Sequence, residues 1–288
     1  MLTRRARGRE FLLRPSKRTN RVIRYVLAVI ASKWGLEIHA VTALSNHWHL
    51  CLTDPHGNII EFQRDCHQFI ARGLNAHHGE FESLWASDQT SRVVCEEPDD
   101  LIGKIAYTMA NPVEAGLVRH GKSWPGVRSA WPCKPRVIRR PPRFFRGEDA
   151  GGKWPARAAL ELTRPPEYDE LSDDELAAVI AAAIEEREAR FRAERDAAGL
   201  PFLGRREVLA QSRHDRPHSR EPRFAISPRV ACRNKWLRIE RLRANHQWTA
   251  DYRLALASWR AGDREVVFPA GTYQMRVVHG VSCAEAFG

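Results

Sequence analysis

The apolar residues between positions 19 and 74 change period twice, and that change limits the possible folds more than any other feature of the chain. Val22, Ile23, Val26, Ile30 and Trp34 recur every three or four residues, the spacing of one helix face. Thr19 or Asn20 can cap the start of this helix, and Gly35 stands where a terminating glycine belongs. Residues 36–44 and 47–53 then alternate as strands do, with Ser45-Asn46 as the turn between them. Past a loop at 54–58, Ile59, Phe62, Cys66, Phe69, Ile70 and Leu74 return to helical spacing. Extended segments are read at 11–14 (Phe-Leu-Leu-Arg), near Leu84-Trp85 and at 92–95. A third helix opens at Pro98-Asp99-Asp100, carries Leu101, Ile102, Ile105 and Met109 on one face, and is expected to end or kink at Pro112.

The resulting order, β-α-β-β-α-β-α, predicts an α+β fold: a ferredoxin-like split βαβ domain with an antiparallel sheet over residues 1–131. Residues 132–166 are rich in Pro and Arg and read as a linker. Residues 167–288 read as a mainly helical, basic C-terminal extension. Ser172 and Glu175 form a capping box ahead of Leu176, Val179, Ile180, Ala183, Ile184 and Phe191, with Arg187, Arg190 and Arg195 marking the helix as exposed. Helix-like stretches follow at 236–242 and 248–260, then a terminal hairpin of Val266–Phe268 with Tyr273–Val278.

The 288 residues carry 46 Lys and Arg against 35 Asp and Glu, a formal charge of +11. No apolar run approaches the ~20 residues that cross a bilayer, and no apolar signal core follows the Arg-rich start, so a cytoplasmic protein without membrane contact is expected. Six scattered cysteines without a Cys-x-x-Cys pair read as reduced thiols. The first 24 residues hold nine basic residues and one acidic, and residues 119–146 hold nine basic and none acidic. These blocks are mostly arginine, whose planar forked donors match phosphate, and they point to a nucleic acid. Arg4, Arg5, Arg7, Arg9, Lys17, Arg18, Arg21, Arg119, Lys122, Arg128, Arg136, Arg139 and Arg140 are therefore assigned to the DNA backbone. Trp124, Trp131, Phe144 and Phe145 either stack on unpaired bases or pin the linker to the domain.

The chemistry lies in two short motifs. His47-Trp48-His49 falls inside a strand, so both imidazoles face one side and Trp48 the other, and two imidazoles suit a divalent transition metal. Tyr107 and Asn111 are four residues apart on the third helix and address one point in space. Ser-Asn-His47-Trp-His49-Leu and Tyr107-Thr-Met-Ala-Asn111-Pro-Val-Glu-Ala-Gly-Leu-Val resemble the two signature motifs of the single-tyrosine HUH transposases. The resemblance is closest to the REP-associated tyrosine transposases and their insertion-sequence relatives, and it covers roughly residues 1–131.

The resemblance implies a metal-dependent tyrosine DNA transesterase, a transposase or nicking endonuclease that forms a 5′-phosphotyrosine intermediate on single-stranded or hairpin DNA. It makes Tyr107 the nucleophile and His47 and His49 the ligands of Mg²⁺ or Mn²⁺, and it puts Asn111 where relatives place a third polar ligand. Ser45-Asn46 departs from the Pro-Asn found before the motif in many relatives, and no family motif continues past residue 131. Relatives occur both as monomers and as dimers that swap the tyrosine helix, so the oligomeric state stays open. One rival reading is a catalytically silent DNA- or RNA-binding protein of the same fold. Another is a metal-dependent hydrolase drawing further ligands from Glu37, Asp54 or Glu61. His67, His77 and His78 are placed on an exposed helix face or its end.

Overall fold

A computed structural model describes residues 1–87, 90–129, 131, 135–142, 144, 154–219 and 229–285, arranged in two compact units, Met1–Pro228 and Arg229–Gly288. The first unit contains, in order, β1 (Leu2–Arg5), α1 (Lys17–Trp34), β2 (Glu37–Ala43), β3 (His47–Thr53), α2 (Ile59–His78), β4 (Ser91–Arg92), β5 (Val94–Cys95), α3 (Pro98–Glu114), β6 (Arg136–Arg139), β7 (Arg157–Leu160), α4 (Asp173–Ala197) and α5 (Arg205–Ala210). It is a mixed α+β fold with a small sheet of order β2-β3-β1-β4, in which every neighbouring pair is antiparallel.

Local chemistry accounts for the helix ends. The Ser16 hydroxyl accepts the Thr19 N–H at 2.9 Å, so α1 begins ahead of the expected Thr19 or Asn20 cap, and Gly35 closes it in the left-handed region at φ 68°. The Asp54 carboxylate accepts the N–H groups of Asn58 and Ile59, each at 2.9 Å, and so serves as the cap of α2. The helix α3 continues two residues past Pro112. The capping box of Ser172 and Glu175 forms as expected.

The sheet is covered on both faces. Trp48 and Leu50 of β3 and Ile38 of β2 join Val22, Val26 and Ile30 of α1 and Phe62, Cys66 and Ile70 of α2 in the main core. On the other face Ala40 and Cys51 pack against Leu101, Ile105 and Met109 of α3, and Leu176 and Ile180 of α4 close the same cluster. The expected linker and the beginning of the expected C-terminal extension thus fall inside the first unit. β6 and β7 pair antiparallel and lay Ile138 and Leu160 on the α1 side, while α4, expected to be exposed, buries its apolar stripe on α3.

Two strand expectations are corrected. Residues 11–14 form a buried turn, not a strand: Phe11 donates to the Asp215 carbonyl and Leu13 to the Ser45 carbonyl, leaving no ladder to join. The first strand is Leu2–Arg5, whose polar composition hid it because only Leu2 enters the main core. In the second unit, β8 (Val230–Ala231) precedes α6 (Lys235–Arg260), which joins the two expected helical stretches into one, since no Gly or Pro interrupts 243–247. Tyr273–Val278 lies largely in α7 (Gln274–His279), not in a hairpin strand. Only Met275 of that segment docks into the small core of Ala255, Phe268 and Val281, while Val277 and Val278 are exposed.

The described cysteines, Cys51, Cys66, Cys95, Cys232 and Cys283, are free thiols, and Cys133 lies outside the described residues. Among the described residues, no helix is long and apolar enough to cross a membrane. Because Ile180 is about 1 % exposed at the α3–α4 contact, Ile180→Ala should lower the unfolding free energy by about 2–5 kcal/mol. An unchanged urea midpoint would mean that α4 does not cover α3.

Candidate functional site

The alternation of β3 places His47 and His49 on the α3 side of the sheet, while Trp48, about 2 % exposed, stacks on Trp85 and meets His67 edge-on on the other. His67, expected at an exposed helix face, is instead part of this packing. The two motif imidazoles are 4.8 Å apart between ring centroids and nearly perpendicular. The Tyr107 ring stands 5.3 Å from His49, again edge-on. Asn111, one turn beyond Tyr107 and about 5 % exposed, lies near enough to both His47 and Tyr107 to bear on their protonation. All four residues singled out by the two motifs therefore meet at one place.

Neighbouring groups fix the rings. His47 Nδ1 bonds the Asn46 side-chain oxygen at 2.7 Å, which leaves its Nε2 for another partner. His49 Nδ1 bonds the Thr3 hydroxyl at 2.8 Å, and its Nε2 is buried with no hydrogen-bond partner. Thr3 and Thr42 flank His49 in the ladder, one on β1 and one on β2, and directly opposed residues share a face. The Thr42 hydroxyl is likewise buried without a hydrogen bond. An unsatisfied imidazole nitrogen in such a place is costly unless something polar or cationic takes it up.

The electrostatics follow from burial and from a ring of cations. Desolvation pushes His47 down to about 4, with Arg5 adding to the effect and contact with Asn111 opposing it. His49 is held well below the ordinary imidazole range, first by burial, then by the proximity of His47 and Lys104. Tyr107 is raised, first by burial and next by the Glu114 carboxylate, against contact with Asn111 and the charge of Arg187. Two imidazoles held neutral and an amide are donors that divalent transition metals accept.

The basic residues assigned to DNA are less uniform than their spacing implied. Arg7 pairs with Glu80 and Glu82, and Arg119 forks onto Asp196. Arg128 is largely buried, donates to the Met109 carbonyl at 2.8 Å and pairs with Glu188. Arg4, Arg9 and Arg140 donate to the carbonyls of Ala86, Ser219 and Trp154. Lys17, Arg21, Lys122, Arg136 and Arg139 are exposed and Arg18 is half-buried. Arg5, opposite His47 in the ladder, is the member of the set whose charge bears on that histidine.

Trp124 and Trp131 donate through Nε1 to the carbonyls of Ala43 and His39, and Phe144 packs on Tyr25 and Trp154, so these aromatics are pins. Phe145 lies outside the described residues. The sequence reading missed Thr3, Thr42, Lys104 and Arg187. Lys104 stands three residues before Tyr107 and was open to the same helical argument; the threonines need the strand register, and Arg187 needs the packing of α4. Against protein-family models, curated proteins and solved structures, the chain matches nothing.

Because folding depresses the imidazole values, the unfolded chain takes up protons first as pH falls below about 6.5. The stability contributed by neutral His47 is therefore complete above that pH and is lost toward about 4. At 1.36 kcal/mol per pH unit, His47 alone accounts for about 2 kcal/mol of loss between pH 6.5 and pH 5. Urea unfolding in EDTA at these two pH values should show it, with a flatter dependence in His47→Gln. Equal slopes in both proteins would place His47 in water.

Proposed function

We propose that this protein is a single-tyrosine HUH-type DNA transesterase, cutting and rejoining single-stranded or hairpin DNA as transposases do. The observation that carries the reading is the meeting of Tyr107, His47, His49 and Asn111 from two sequence-distant elements, β3 and α3. The strand order β2-β3-β1-β4, with α1 and α2 together on one face, supports reading the sheet as a ferredoxin-like split βαβ.

In this reading the Tyr107 oxygen attacks a DNA phosphorus and gives up its proton. The bond from phosphorus to the 3′-oxygen breaks, and that oxygen leaves as a 3′-hydroxyl after taking a proton. The phosphate stays esterified to Tyr107 and to the 5′-oxygen of the downstream segment. Attack by a 3′-hydroxyl on this link reverses the step, so the bond energy is kept and no nucleotide triphosphate is consumed. Residues 116–123 spell Gly-x-x-x-x-Gly-Lys-Ser, but they lead from α3 into a short 3-10 turn and not from a strand into a helix, so they lack the setting of a phosphate-binding loop.

A phenol whose proton is held tightly by burial needs its oxygen oriented and its developing charge met, and Asn111 is placed to do both. Thr3 holds the His49 ring and Asn46 the His47 ring through Nδ1, which leaves each Nε2 for another partner. Mg²⁺ or Mn²⁺ held by His47, His49 and Asn111 would supply Lewis-acid polarisation of the phosphate oxygens. The buried, unpartnered Nε2 of His49 fits such an ion.

The test is a covalent adduct on a labelled single-stranded oligonucleotide, resolved on a denaturing gel. The wild-type protein should form it with Mg²⁺ or Mn²⁺ and lose it in EDTA. Tyr107→Phe, which keeps the ring, should abolish it while still binding the strand. An adduct that persists in Tyr107→Phe removes that residue from the chemistry. A wild-type protein that binds DNA and never forms an adduct is the silent binding protein of the rival reading.

A further inference from the structure

The helix α4 lies outside both motifs, yet it reaches the tyrosine. Its contact stripe on α3 runs through Leu176, Ile180 and Ile184, and one turn further on the same face stand Arg187 and Glu188. Glu188 is about 4 % exposed and accepts the Gly121 N–H with both carboxylate oxygens, at 3.1 and 3.2 Å. It also pairs with Arg128 and Arg192, at 3.5 Å each. These bonds fix the rotation and height of α4, and with them the position of its neighbour Arg187.

The Arg187 guanidinium carbon lies 5.9 Å from the centroid of the Tyr107 ring, and the ammonium of Lys104 lies 5.7 Å from the same centroid. Both distances sit at the outer limit of a cation–π contact, so the ring is a weak partner for either charge. Among the described residues, neither cation forms a salt bridge. The charge of Arg5 reaches His47, and that of Lys104 reaches His49. Three cations thus stand round the half-buried His47, the buried His49 and a phenol, and the one carboxylate whose charge is felt by Tyr107 is Glu114, whose own carboxyl is pushed up by burial and partly offset by Arg187. Like charges gathered round one small centre repel unless an anion joins them.

We propose that Arg187 of α4, together with Lys104, binds the non-bridging oxygens of the DNA phosphate that Tyr107 attacks. The proposal rests on the reading of Tyr107 as nucleophile and extends the site to a helix more than fifty residues beyond the second motif. A forked guanidinium suits this task because it grips two phosphate oxygens at once and answers the charge that builds on them.

The experiment uses the full chain with Arg187→Gln and Arg187→Lys. Binding of a labelled oligothymidylate is measured in the Tyr107→Phe background across a salt series, and single-turnover adduct formation is measured with Tyr107 intact. Arg187→Gln should slow adduct formation about 100-fold, the scale of losing one preorganised charge donor. It should also flatten the plot of log affinity against log salt by about 0.7, the value of one phosphate contact on a single strand. Its thermal midpoint should match the wild type, since Glu188 holds the helix, and Arg187→Lys should recover the salt slope but only part of the rate.

Unchanged rate, affinity and salt slope in Arg187→Gln overturn the proposal and leave Tyr107 untouched. Loss of activity that tracks a lowered midpoint, with no rescue of the salt slope by lysine, assigns Arg187 to packing and also overturns it. If the wild type makes no adduct but Arg187→Gln still flattens the salt slope, the nucleophile reading falls and the phosphate contact stands.

Discussion

A seven-residue strand buried on both sides sets the terms for the rest of the first unit. β3 must send alternate side chains to opposite faces, and both faces are covered, so a one-residue slip would drive Trp48 into α3 and the imidazoles into the α1–α2 core. The packing of Trp48, stacked on Trp85 and edge-on to His67, therefore fixes the site from behind. Thr3 and Thr42 hold the same register from the two flanking strands. The chemistry at the front of the sheet inherits its geometry from packing at the back.

Much of this was legible in the chain. The 3.6-residue stripes of α1, α2 and α3, the alternation of β2 and β3, Gly35 and the Ser172–Glu175 box announce themselves because each is a local pattern with a local physical cause. The pairing of His47 with His49 and of Tyr107 with Asn111 follows from the same two periods. That the two pairs meet is a tertiary fact, which the family resemblance implied and the packing of α3 on β3 provides.

The misses share a different cause. β1 is four residues long with one core side chain, too short for alternation to register, and the apolar run at 11–14 spends its burial on a turn. The stripe on α4 was visible, but its arginines and glutamates read as solvated. Glu188 is buried because Gly121 and Arg128 wait for it from elsewhere in the chain, which no helical period encodes. The basic blocks mislead in the same way, for Arg7 and Arg119 pair with Glu80, Glu82 and Asp196 at the surface and Arg128 with the buried Glu188.

The bond between Glu188 and the Gly121 backbone also bears on how such a chain can be inherited in pieces. A gene fragment ending just after the second motif would still encode both histidines, the tyrosine and the asparagine. It would lack the carboxylate that neutralises Arg128 and the apolar stripe that roofs α3. Such a remnant would keep the spelling of both motifs and lose the architecture around them, so the smallest heritable block holding this centre intact runs at least as far as Glu188.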